Sequence, residues 1–96
     1  MSDSGTKKTA SDQADTDVRH EDLYEVILYN DDFNAMEFVV GCVMKVFGHS
    51  MELAAKIMIE AHKKGRAIAE VESHTDARRH KEQLQSFGLT VSMEKV

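Results

Sequence analysis

Two groups of polar side chains in this sequence could accept hydrogen bonds from a positively charged ligand. Asn30, Asp31 and Asp32 follow one another, and His62 lies further along the chain. Carboxylate and amide oxygens and a neutral imidazole nitrogen are all acceptors. A free α-amino group has a pKa of roughly 7.7–8.0, so near neutral pH it is mostly an ammonium group that only donates. These residues are therefore candidates to bind the amino terminus of another chain.

Apolar side chains accompany these acceptors. Ala61 and His62 follow Met58 by three and four residues, a spacing that places the three side chains on one helix face. Met36 and Val39 share a face of another predicted helix. If the polar turn and both helices pack together, the acceptors border an apolar recess for the ligand's first side chain. Taken singly, such residues are more often a turn, a surface histidine and core methionines. Only their combination indicates a binding site.

A catalytic or metal-binding role has less support. Asp31, Asp32 and His62 could form a general acid–base set, but no Ser or Cys nucleophile stands in a recognisable motif, and Cys42 lies within a predicted helix. The same residues lack the spacing of a zinc site, and a single cysteine excludes both an internal disulfide and a Cys-rich zinc site. We therefore predict a protein that is not an enzyme, with no cofactor, no metal and no catalytic residue.

The elements that position these residues follow from hydrophobic periodicity and end signals. Asn34 and Glu37 have the spacing of a capping box at the start of the first helix. The predicted elements are a strand over 23–29, a helix from Asn34 to Gly48, a helix from Ser50 to about Lys63, a strand over 67–71, a helix from Ser73 or Thr75 to Gly88, and a strand over 89–93. This β-α-α-β-α-β order predicts a two-layer α+β domain with the helices on one face of a three-stranded sheet.

The composition limits the class of protein. The chain has 96 residues and a net charge of −5, from 17 acidic and 12 basic side chains. This length allows one domain, and the charge argues against a nucleic-acid partner. Residues 1–22 are polar, so we predict a disordered extension that is neither a signal peptide nor a membrane span, followed by a domain over 23–96. We expect a cytoplasmic protein with no membrane partner.

Three segments resemble one known family. They are YEVILYNDDFNAMEFV at 24–39, the segment 54–68 around MIEAHKKGRAI, and LTVSMEK at 89–95. Together they resemble the ClpS adaptors and span nearly all of residues 23–96. The resemblance implies a monomeric adaptor that binds N-degrons, which are proteins whose first residue is bulky and hydrophobic (Leu, Phe, Tyr or Trp). It also implies docking on the N-terminal domain of a Clp AAA+ unfoldase of the ClpA or ClpC type, which works with the ClpP peptidase.

The resemblance also implies roles for individual residues. Asn30, Asp32 and His62 would hold the α-amino group, Asp31 would shape the turn, and Met36 would be a gate that rejects β-branched side chains. The N-terminal extension would engage the unfoldase during transfer. The hydrophobic pocket would be formed by Leu28, Asn34, Met36, Val39, Met58, Ala61 and Leu89.

The sequence departs from the family pattern at several positions. Ala35 stands where Pro is usual, and Ala61 stands where a larger aliphatic residue is frequent. The places of the family's unfoldase-docking residues on the third helix correspond to Thr75 and His80, with Asp76 adjacent.

A second interpretation is a plain protein-interaction domain like the C-terminal domain of the ribosomal stalk protein, which has a similar order of elements. Such a domain would bind translation factors and has no need of an Asn-Asp-Asp and His acceptor cluster.

Overall fold

The computed structural model describes residues 23–96, and the predicted N-terminal extension over 1–22 lies outside the described residues. The predicted order of elements is confirmed. The elements are β1 (Leu23–Tyr29), α1 (Met36–Phe47), α2 (Met51–Lys64), β2 (Arg66–Ser73), α3 (His74–Ser86) and β3 (Val91–Lys95).

The three strands form an antiparallel sheet in the order β2-β1-β3, so β1 is the central strand. Its β-branched and aromatic residues favour a strand, and Val26, Ile27 and Leu28 are at most 1% exposed. Val26 is opposite Glu70 and Ile27 is opposite Ile68, which leaves Ala69 as the extra residue of a bulge in β2. Because β1 is the central strand, the polar turn that follows it lies between the ends of the two outer strands.

All three helices pack on one face of this sheet, as predicted. The buried cluster joins Val26 and Leu28 of β1 to apolar residues of every helix, namely Val39, Cys42, Val43, Ala54, Ile57, Ala61, Ala77 and Leu84. Buried aliphatic area of this kind supplies the main driving force for folding.

Side chains of the sheet itself cross the other face. Arg66 of β2 lies 3.5 Å from Glu94 of β3, and its guanidinium carbon is 5.9 Å from the centre of the Tyr29 ring. The Tyr29 hydroxyl is 2.9 Å from the hydroxyl of Ser92. The Tyr29 side chain therefore belongs to the face away from the helices.

Two predicted helix starts are confirmed and one is wrong. The hydroxyls of Ser50 and Ser73 accept hydrogen bonds from backbone N–H groups at the starts of α2 and α3, at 3.1 and 3.2 Å. By contrast, α1 begins at Met36 after Ala35, and no side chain caps it. Asn34 does not cap α1 because its amide bonds to other groups, so the capping box with Glu37 is absent.

The last strand also begins later than predicted. The chain after α3 remains in a helix-end turn, because the Leu89 N–H donates to the carbonyl of Leu84 at 3.3 Å and Gly88 adopts a positive φ of 92°. Pairing with β1 therefore starts at Val91, which lies opposite Leu28.

Candidate functional site

A cavity of about 300 Å³ lies where the end of β1, the polar turn, the start of α1 and the end of α2 meet. Its lining contains all of the predicted amine-binding residues and all but one of the predicted pocket residues. The lining residues are Leu28, Tyr29, Asn30, Asp31, Asp32, Asn34, Ala35, Met36, Val39, Met58, Ala61 and His62.

Backbone hydrogen bonds fix the turn against its neighbours. The Tyr29 N–H donates to the carbonyl of Thr90, and the Asn30 N–H donates to the carbonyl of Gly65, both at 3.0 Å. Gly65 ends α2 in a left-handed conformation with φ 93°. Because the helix end is tied to the turn, His62 in the last turn of α2 is brought to the same cavity as Asn30.

Asp31 shapes the turn from within. One of its carboxylate oxygens accepts from the N–H groups of Phe33 at 2.8 Å and Asn34 at 3.0 Å, and the other accepts from the Asn34 side-chain amide at 2.6 Å. Burial tends to raise the pKa of Asp31, but the hydrogen bonds from Asn34 and Phe33 outweigh it and lower the pKa below its ordinary value. Asp31 is therefore a carboxylate held in its ionised form, and three of its roughly four acceptor positions are already used inside the turn.

Asn34 links this turn to the connection between α3 and β3. Its side-chain amide, besides donating to Asp31, lies 3.3 Å from the carbonyl of Gly88. Asn34 therefore stiffens the cavity rim from two sides.

Three side chains of the lining keep their acceptors open to solvent. Asn30, Asp32 and His62 are exposed. The one hydrogen bond between them joins the Asn30 amide nitrogen to Asp32 at 3.5 Å, the upper limit for such a contact. An ionised carboxylate has about four acceptor positions, so Asp32 has ample capacity for a cationic ligand.

The inner wall of the cavity is aliphatic, and its mouth is more exposed. Leu28, Val39 and Ala61 are at most 4% exposed, whereas Met36 is 49% exposed and Met58 is half-buried. Both methionines are flexible thioether side chains that adapt to a bound group. The site therefore combines polar acceptors on one side with an apolar recess on the other.

One predicted pocket residue lies elsewhere, and two lining residues were not predicted. Leu89 is 4% exposed and packs in the core, because the helix-end turn after α3 directs it inward. Tyr29 and Ala35 line the cavity, and the Tyr29 hydroxyl contacts Ser92 on the other face of the sheet. Their place beside the Asn-Asp-Asp turn and Met36 was the signal available in the sequence.

The three predicted docking residues do not share one exposed surface. Thr75 is exposed, and Asp76 forms an ion pair with Arg79 at 3.1 Å. His80 is directed inward: its Nδ1 lies 2.7 Å from a carboxylate oxygen of Glu72. The His80 ring also packs edge-on against the ring of Phe47, with centroids 5.0 Å apart.

Within residues 23–96, no three His, Cys, Asp or Glu side chains are grouped so that they could hold a metal ion. In the same part of the chain, none of the helices has the length and apolar character needed to cross a membrane.

Comparison with known proteins identifies the family. The family model described as "ATP-dependent Clp protease adaptor protein ClpS" matches residues 19–92. The ATP-dependent Clp protease adapter protein ClpS of Desulforapulum autotrophicum is 35% identical over 101 aligned residues, which cover 99% of this chain and 97% of that protein. The chloroplastic adapter CLPS1 of Arabidopsis thaliana is 46% identical over 72 residues, which cover 74% of this chain and 45% of that protein.

A solved structure agrees with these matches. Agrobacterium tumefaciens ClpS2 bound to L-phenylalaninamide superposes with a TM-score of 0.76 at 28% identity, over 79% of this chain and 99% of that chain. The sequence matches and the shared fold together show that this protein belongs to the ClpS family of ATP-dependent Clp protease adaptors.

Proposed function

We propose that this protein binds polypeptides by a free, bulky hydrophobic N-terminal residue (Leu, Phe, Tyr or Trp) and delivers them to a Clp AAA+ unfoldase of the ClpA or ClpC type with ClpP. The observation that carries the proposal is the meeting of an apolar recess with the exposed acceptors of Asn30, Asp32 and His62 in one cavity.

The division of roles follows from the hydrogen bonds. The ligand's ammonium group donates to Asn30, Asp32 and His62, while Asp31, already bonded to its own turn, holds Asp32 in position. The first side chain enters the recess between Val39 and Ala61. Water leaves that aliphatic wall when the recess fills, which favours large apolar side chains.

The size of the cavity supports a single residue as the buried part of the ligand. About 300 Å³ is at the lower limit for small-molecule sites. The ligand in the Agrobacterium relative, L-phenylalaninamide, carries a free α-amino group, an aromatic side chain and an amide in place of the next peptide bond. Such a ligand has the features that this cavity would recognise.

The composition of the lining supports binding without catalysis. Among the described residues around the cavity there is no Ser, Cys or Lys, so the nucleophiles that hydrolases most often use are missing from it. The acidic residue with the most hydrogen bonds, Asp31, is committed to the turn. Held ionised by those bonds, it is a poor proton donor.

The wider assignment rests on the family. Residues 23–96 act as the adaptor domain, and residues 1–22 act as an extension that engages the unfoldase. The protein works as a cytoplasmic monomer, without nucleic acid or membrane as a partner. The stalk-domain interpretation gives no reason for the acceptors of Asn30, Asp32 and His62, and membership of the ClpS family replaces it.

The decisive experiment compares peptides that differ only at the N-terminus. Acetylation removes the ligand's charge and two of its three N–H donors, so the acceptors of Asn30, Asp32 and His62 can no longer all be paired. A hydrogen bond to a charged group is worth ~1.5–3 kcal/mol, so acetylation should weaken binding by more than about ten-fold. A parallel series with Leu, Phe, Tyr, Trp, Ser or Glu as first residue tests the hydrophobic preference. Equal affinity for free and acetylated peptides contradicts the proposal.

A further inference from the structure

The aromatic ring of Phe33 is exposed to solvent at the edge of the cavity. It is 99% exposed, the highest value among the large hydrophobic residues of the described chain. The residues on either side of it, Asp32 and Asn34, line the cavity, while Phe33 itself does not. Its ring therefore projects outward from the cavity rim.

The turn that carries Phe33 is rigid. The Phe33 N–H donates to Asp31 at 2.8 Å, and Asn34 is held by Asp31 and by the carbonyl of Gly88. A backbone fixed before binding loses little conformational entropy when a ligand arrives. An aromatic ring with two rotatable bonds on such a turn is therefore a favourable contact surface.

From this placement we infer that Phe33 contacts the side chain of the ligand's second residue and gives the protein a preference for an apolar residue there. The inference rests on the proposed function. One residue of extended chain spans at most about 3.6 Å, so a ligand whose first residue fills the cavity has its second residue at the rim.

The chemistry of the rim decides which second residues gain. Phe33 and Met36, 99% and 49% exposed, are the most exposed large apolar side chains there. An apolar second side chain removes water from these surfaces and is stabilised, whereas a small polar one leaves them hydrated.

Phe33 has no structural role that would obscure a test. A ring that is 99% exposed contributes nothing to the core. Phe38 provides a matched control, because it is also an exposed aromatic residue (45%) but lies on α1 outside the cavity lining. Replacing either ring by Ser removes one aromatic side chain from the surface.

The experiment measures peptides with Phe first, Leu or Ser second, and identical residues afterwards. We expect the unmodified protein to favour Leu at the second position by about five-fold, which corresponds to ~1 kcal/mol. Phe33→Ser should abolish this preference, Phe33→Tyr should largely retain it, and Phe38→Ser should leave it unchanged. The free energy of unfolding, measured with urea, should be the same for Phe33→Ser as for the unmodified protein.

Two outcomes overturn the inference: equal affinity for the two peptides in the unmodified protein, or a Leu preference that survives in Phe33→Ser. Acetylated copies of both peptides separate this result from the proposed function. If acetylation weakens binding in the unmodified protein and in Phe33→Ser alike, recognition of the N-terminus stands whatever the second position shows. If acetylation has no effect, the proposed function itself fails.

Discussion

Met36 lines the cavity and is 49% exposed. If it acts as the gate that the family resemblance implies, a ligand with a branched Cβ collides with it at the entrance. We predict that Met36→Ala raises the affinity for peptides beginning with Ile or Val by roughly ten-fold, or ~1.4 kcal/mol, relative to a Phe peptide. The measurement is the ratio of Val to Phe peptide affinities.

Met51→Ala is the control for this prediction, since Met51 is 66% exposed on α2 and does not line the cavity. It should leave the ratio unchanged. If Met36→Ala is folded and still discriminates against Ile and Val, the exclusion arises deeper in the recess.

Ala61 is the second residue that should set ligand preference, because it lies in the inner wall and is 2% exposed. A Val-sized side chain there would add two methyl groups, each worth ~0.8 kcal/mol of burial to a ligand that touches them. A Leu ligand loses these contacts to the gap, while a planar ring can fill it if Met36 and Met58 shift. We predict that the protein favours aromatic over Leu N-termini more than relatives with a larger residue at this position do, by ~1 kcal/mol, about five-fold.

Ala61→Val should restore affinity for Leu peptides and weaken binding of Trp peptides. A matched set of Leu, Phe, Tyr and Trp peptides measured on both forms is the test, with urea unfolding to check that the added methyl groups are accommodated. An unchanged ranking would mean that residue 61 does not touch the ligand.

At this scale the sequence predicted most of the cavity lining, because residue type and helical spacing carry that information. Met58, Ala61 and His62 share a face of any helix. Leu89 was expected in the pocket but does not line the cavity. The direction of its side chain depends on where the turn after α3 ends, and that is set by the hydrogen bond from the Leu89 N–H to the carbonyl of Leu84. No local pattern reveals that bond.

At the scale of elements, the turn between β1 and α1 depends on Asp31. The hydrogen bonds from Phe33 and Asn34 lower the pKa of its carboxyl in the folded protein below the ordinary value of 3.8. Because the folded-state pKa is lowered, the contribution of Asp31 to the free energy of unfolding is fully present above pH 3.8. This contribution is lost as the pH falls through the folded-state pKa.

We therefore predict that Asp31→Asn lowers the free energy of unfolding at pH 7 by ~1–2 kcal/mol, the difference between charged and neutral hydrogen bonds. The gap between this variant and the unmodified protein should shrink as the pH falls below 3.8, because the Asp31 carboxyl then binds a proton more readily in the unfolded state than in the folded state. Urea unfolding at pH 7 and near pH 3 measures both.

Asp32→Asn makes the same change of charge one residue away, where the one side-chain hydrogen bond within residues 23–96 is 3.5 Å long. It should affect ligand affinity more than stability. Equal destabilisation by the two substitutions, or a gap that persists at acid pH, would show that the turn is not held by the ionised Asp31.

The same turn explains why the start of α1 was mispredicted. Asn34 has the residue type and spacing of a helix cap, and Ser50 and Ser73, chosen by the same rule, do cap their helices. Asn34 is instead drawn to Asp31 and to Gly88, which is distant in the sequence. One local partner and one tertiary partner therefore replaced the expected cap, and both lie at the candidate site.

At the scale of the molecule, the cavity is assembled from a short part of the chain. All of its lining residues lie between Leu28 and His62, in β1, its turn, α1 and α2. The connections that follow α2 and α3 hold the turn in place, because the carbonyls of Gly65 and Gly88 accept hydrogen bonds from Asn30 and Asn34. The part of the domain after His62 is therefore left for the proposed docking on the unfoldase.

The N-terminal extension provides the last prediction, because residues 1–17 precede every element of the described domain. Deleting them should leave peptide affinity unchanged, since no residue of the cavity lining is removed. Degradation of a substrate with an N-terminal Phe by the unfoldase and ClpP should slow, because the extension is proposed to engage the unfoldase.

Replacing residues 1–17 by a Gly/Ser segment of equal length, which behaves as a flexible coil, separates a requirement for the length of the extension from one for its sequence. Lost peptide affinity after deletion would move the domain boundary towards the N-terminus, and unchanged degradation would remove the extension from the delivery step.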